Sequence, residues 1–166
     1  KDIREAEKAY KDIYKKYMGN FDTLKMFLVN DSFSVTKAIG TIPEDWLEQF
    51  GLDEAKAKAI REGVIVRETS NVNVMDSLFG ADFAIDSLSF IPYTEGIEFD
   101  IEADKLMTSS NLMIQVIEVK ADYDHFLKGL NEQLIVNYKD TKATLSGYAG
   151  IKFGSMEEGS LSGNWE

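Results

Sequence analysis

Along residues 1–18 the apolar positions Ile3, Ala6, Tyr10, Ile13 and Tyr17 recur at alternating spacings of three and four, while Lys1, Glu5, Lys8, Lys11, Asp12 and Lys15 fill the other faces. This is the period of an amphipathic helix. Gly19-Asn20 stops it, and Asp22 is placed to cap a second, short helix whose stripe is Leu24, Phe27 and Leu28. The segment Phe33–Ile39, rich in β-branched and aromatic residues, predicts a short strand. Pro43 then opens a helix over Glu44–Phe50, Gly51 ends it, and Asp53 caps another that runs to about Arg61, with Gly63 just beyond.

From Val64 the pattern changes to period two, through Val64–Glu68 and again Val72–Val74, with a helical turn at Met75–Phe79 before Gly80. Ser87–Ile91 predicts a strand stopped by Pro92, Ile97–Ala103 alternates, and Leu112–Val119 is a nearly continuous apolar run of the kind a central strand carries. Helix returns from Asp122 through Leu127, and Asn131 caps a further one bearing Leu134, Ile135 and Tyr138, closed by Gly147. A last strand at Ile151–Phe153 leads into a Gly- and Ser-rich tail, 154–166, ending Asn164-Trp165-Glu166. No repeat and no linker divides the chain. The pattern predicts a single α+β domain spanning 1–166, with the opening helix packed on an antiparallel sheet of about four or five strands and several short helices beside it.

Composition narrows the function. Eighteen basic against twenty-nine acidic residues give a formal net charge of −11, which phosphate backbones and anionic lipid surfaces repel, so nucleic acid is not an expected partner. The chain has no cysteine, which excludes disulfides, thiolate metal sites and cysteine nucleophiles. No window approaches the roughly 18 apolar residues of a membrane helix. A helix that starts at the first residue without a cap is expected to continue into an apolar anchor of about 20 residues upstream of Lys1.

Catalytic equipment is sparse. The single histidine, His125 in Asp122-Tyr123-Asp124-His125, has no serine in a nucleophile-elbow pattern to serve and reads as a structural or surface residue. Alternation puts Glu98, Asp100, Glu102 and Asp104 on one face of a strand and Ile97, Phe99, Ile101 and Ala103 on the other. Acids two apart on a strand are nearly 7 Å from one another, unlike the turned loops that gather calcium, so a solvated face is expected and no metal site. Phosphate-binding glycine patterns are missing, and no cofactor is expected. The triplet Asn30-Asp31-Ser32 has the form of a glycosylation acceptor, a form that chance supplies often. Tyr10 and Tyr14 extend the first helix's stripe around its axis and are the expected contacts for a partner protein.

The opening Ile3-Arg4-Glu5-Ala6-Glu7-Lys8-Ala9-Tyr10, the helical turn at Phe21-Asp22-Thr23-Leu24 and the sheet after them resemble the soluble part of type IV pilins and pseudopilins. In those families a long N-terminal helix, half membrane span and half amphipathic, packs on a small antiparallel sheet. Phe21-Asp22-Thr23-Leu24, Val74-Met75-Asp76-Ser77-Leu78-Phe79-Gly80, Asp86-Ser87-Leu88 and Gly163-Asn164-Trp165-Glu166 also resemble a family of uncharacterised Bacteroidetes proteins with one N-terminal membrane span. These resemblances imply an extracytoplasmic, envelope-anchored domain that binds protein partners or copies of itself and is not an enzyme. A small-molecule or calcium-binding module, or an enzyme of unrecognised class, stays open as the alternative.

Overall fold

The computed structural model describes residues 1–166. Helix α1, Asp2–Tyr14, buries Ile3, Ala6, Glu7, Ala9 and Tyr10. It stops one turn earlier than its apolar period suggests, because Lys15 turns left-handed (φ 60°) and returns its N–H to the Lys11 carbonyl. Tyr17 is still buried, reached by the loop rather than by the helix, whereas Ile13 is 38% exposed and lies outside the core. Helix α2, Phe21–Asn30, is capped by Asn20, whose side-chain oxygen accepts the Thr23 N–H at 2.9 Å, and not by Asp22.

The molecule is α+β, but its strands form two antiparallel sheets in place of one sheet of four or five. Strand β1 (Ser32–Ile39) pairs with β2 (Val66–Asn73) alone, in a two-stranded ribbon that carries helix α3 (Glu44–Arg61) between its strands. The two short strands expected after Val64 are therefore one. Gly51 takes φ 74° inside α3 and divides it into the two helices its flanking caps foretell. After β2 come the short helix α4 (Val74–Leu78) and a 3-10 turn at Ile85–Ser89, where a strand was expected. All that remains of that strand is a bridge between Phe90 and Glu98.

The second sheet has the order β3 (Asp100–Met107), β4 (Met113–Asp122), β5 (Gly150–Ser155), with the apolar run of β4 in the centre as expected. Its register aligns Ile101, Val119 and Phe153 across one face. That face, with Ile117, receives Ile3, Ala6, Tyr10, Leu24, Phe27 and Leu28 from α1 and α2 to make the core. Gly154 takes φ +78° hard against the Ile117 carbonyl, where a side chain has no room. Helices α5 (Tyr123–Phe126) and α6 (Glu132–Ser146) follow β4, and Asn131 caps α6 by accepting the Leu134 N–H at 3.1 Å.

The Gly- and Ser-rich tail folds back on the edge of β5. Gly163 bridges Phe153, and the Asn164 side chain accepts the Lys152 N–H at 3.0 Å and donates to the Gly150 carbonyl at 2.9 Å. Arg4 ties the tail to α1, donating to the Leu161 carbonyl at 3.2 Å and pairing with Glu166 at 2.7 Å.

Candidate functional site

The two tyrosines singled out on the first helix are separated by burial. Tyr10 is 5% exposed and sits edge-on to Phe27 with centroids 5.0 Å apart, so its ring is a core contact and is not presented to a partner. Tyr14 is 47% exposed, stacks obliquely on Tyr10 at 4.7 Å and donates its hydroxyl to Asp31 at 2.7 Å. Holding that proton for Asp31 raises the Tyr14 pKa.

Glu7 is the most unusual side chain of the helix. It lies four residues from Ile3 and three from Tyr10 in the middle of the stripe and is fully buried. Its Oε2 accepts the Met18 N–H at 2.9 Å, while Oε1 has no partner. Burial pushes the carboxyl up to about 8, opposed in part by the Met18 hydrogen bond, so the group is protonated at neutral pH. The i, i+3, i+4, i+7 geometry of Ile3, Ala6, Glu7 and Tyr10 was the signal for it, an acid inside an apolar stripe.

The acidic row stands on the outer face of β3 as alternation requires, with Asp100, Glu102 and Asp104 exposed and Phe99, Ile101 and Ala103 half-buried. Glu102 faces Lys120 at 3.9 Å, and Glu118 on the next strand takes Lys120 at 3.5 Å and Lys152 at 3.2 Å, so lysines interleave the carboxylates. No group of three or more acidic or histidine side chains converges to hold a metal ion. His125 is exposed on α5 next to Asp124, whose own acidity is raised chiefly by its hydrogen bond from Lys139. Asn30 closes α2 with its amide on the Met26 carbonyl at 2.9 Å.

The conspicuous surfaces lie elsewhere. None of residues 34–73 belongs to the core or packs against it. The ribbon and α3 form an arm that buries only Ala55 and Ala59, closed at its tip by Lys58 lying over the Trp46 and Phe50 rings. Isoleucine and valine side chains are left in water along it: Ile39 and Val66, cross-strand partners, are 54% and 56% exposed. Helix α6 buries no residue at all. Between α5, α6 and β5 runs an open apolar groove of about 700 Å³, lined by Tyr123, Phe126, Leu130, Leu134, Tyr138 and Ile151 among others. Composition hid both surfaces, because their apolar residues have the spacing of core-facing elements and only the tertiary arrangement leaves them uncovered. No family model, no curated protein and no solved structure matches the chain.

Proposed function

We propose that the chain is a non-enzymatic structural domain of the bacterial envelope whose role is to bind other protein chains within an assembly. One observation carries this reading. The protein exposes 10960 Å² of surface, whereas a compact monomer of 18.7 kDa exposes about 8,300 Å². The excess, about 2,700 Å² per chain, is of the order that one subunit of a permanent assembly gives up to its neighbours. The arm and α6 contribute exposed aliphatic and aromatic side chains to it, among them Ile39, Leu52, Val66, Leu134 and Leu145. Extensive exposed apolar surface of this kind marks a protein contact.

The extracytoplasmic location and an anchor upstream of Lys1 belong to the same proposal and rest on the pilin-like and Bacteroidetes resemblances. No helix of the structure is long and apolar enough to cross a membrane. A photo-crosslinking residue placed at Leu52, on the arm, tests the role in cells that produce the protein: a discrete covalent adduct is expected. Cells in which Leu52 and Leu134 both yield no adduct overturn the reading. Fractionation tests the location, and recovery of the full-length protein from the cytoplasm removes it.

A further inference from the structure

The root of the arm and the groove lie near opposite ends of α1. Ser32, the root of the arm, follows Asp31, which the Tyr14 hydroxyl grips at the C-terminal end of α1. Ile151, in the groove, also lines a smaller cavity of about 330 Å³ bounded by Lys1 and Ile3 at the N-terminal end of α1. The thirteen residues of α1 hold these ends about 20 Å apart. From its root the ribbon projects through eight residue pairs, Ser32↔Asn73 to Ile39↔Val66, a further 27 Å or so.

An apolar projection at one end and an apolar recess at the other describe a contact that repeats from copy to copy. We infer that this protein self-assembles head to tail, the arm of one copy seating its exposed aliphatic side chains, Ile39 and Val66 first with Ile60 and Val64, in the α5–α6 groove of the next. The inference rests on the reading of the chain as a protein-binding domain and names its partner as a second copy of this chain.

Three features favour a second copy as the occupant. Each chain supplies both halves of the contact, so one interface is used twice, once as donor and once as acceptor. The surface beyond that of a compact monomer, about 2,700 Å² per chain, leaves room for a contact of the size permanent complexes use. Charge also permits it. A net charge of −11 opposes most contacts between copies, yet residues 32–73 carry five basic and seven acidic side chains and α6 carries two of each, so the two surfaces are nearly neutral where the rest is acidic. The contact is heterologous, because projection and recess are different surfaces, and it propagates unless the rotation between copies closes a ring. An isolated two-stranded ribbon is marginal in water, and a neighbour's groove gives its apolar face a place to pack.

Two exposed positions allow a test that spares the fold. Ile39→Glu puts a charge on the arm, and Leu134→Glu puts one in the groove, at a position 67% exposed. Sedimentation velocity of the purified parent is expected to show species larger than 18.7 kDa that grow with concentration. Each variant alone is expected to sediment as a monomer, its association weakened tenfold or more. Mixing the two is the decisive arm: the arm of the Leu134→Glu chain and the groove of the Ile39→Glu chain are both intact. They therefore join once and stop, giving a dimer of about twice 18.7 kDa and nothing larger.

A mixture that remains monomeric, an association untouched by either variant, or a parent that is monomeric throughout overturns the inference. If the parent is monomeric while the Leu52 crosslink in cells joins the arm to a different protein, self-assembly is removed and the binding role stands. If there is no crosslink either, both fall.

Discussion

Replacing Glu7 by glutamine tests the core at its least expected point. The group's pKa stands at about 8 in the folded protein against 4.5 for an unburied glutamate. Below pH 4.5 the carboxyl is protonated whether the chain is folded or not and leaves stability unchanged. Between 4.5 and 8 the unfolded chain releases the proton and the folded chain keeps it, so each pH unit upward removes about 1.4 kcal/mol of stability. At pH 7 the accumulated penalty is about 3 kcal/mol, and above pH 8 it levels at about 5 kcal/mol. Those are large sums for a domain held together by roughly 5–15 kcal/mol.

Glutamine is neutral throughout and keeps an oxygen for the Met18 N–H, which Glu7 accepts at 2.9 Å. Its amide nitrogen lies where Oε1 has no partner, at a cost of about 1–3 kcal/mol that does not vary with pH. The slope is therefore the clean observable. Urea unfolding followed by far-ultraviolet circular dichroism at pH 5, 6, 7 and 8 should show Glu7→Gln gaining on the parent by about 4 kcal/mol across the series. All other carboxylates cancel in the comparison. Parallel curves for parent and variant would falsify the claim that Glu7 is buried and protonated.

Tyr10→Ala, which empties a packed site against Phe27, is expected to lower stability by about 3–5 kcal/mol in the same assay, whereas Ile13→Asp, at a half-open position, leaves a folded protein. The reverse order would mean that the buried face of α1 is misassigned. Gly154→Ala forces a side chain into a left-handed backbone against the Ile117 carbonyl and should lower the melting temperature by several degrees, while the same change at Gly63, which has open space around it, is milder. His125→Ala should leave both melting and oligomer size unchanged, and a loss of either would give the histidine a role its exposed position does not suggest.

Local chemistry was legible at several positions where a single residue decides the backbone, though not at the start of α2, which Asn20 caps in place of Asp22, nor at the end of α1, which Lys15 closes. The caps at Asn131 and Gly147, the break at Gly51 and the central position of the β4 run all follow from side chains within a few residues of one another. What periodicity does not contain is which apolar face meets which. Ile3 and Ile13 carry the same side chain on one helix, yet the helix ends at Tyr14, so Ile3 packs on the sheet while Ile13 falls past the core. Ser87–Ile91 has strand composition but lies largely in a 3-10 turn and keeps one bridge, Phe90 to Glu98, while Ser89 is buried and its hydroxyl accepts from the Lys25 ammonium at 2.8 Å. The same limit hid the arm. Phe33 to Ile39 alternates as a half-buried strand should, and the alternation is real, but only Phe33 reaches this molecule's core. An apolar face selected for a partner and one selected for a core obey the same period, so the sequence records that a face must be covered without recording by what. In this protein the uncovered remainder includes the distal ribbon and α6, and the proposed self-assembly assigns that remainder to a second copy.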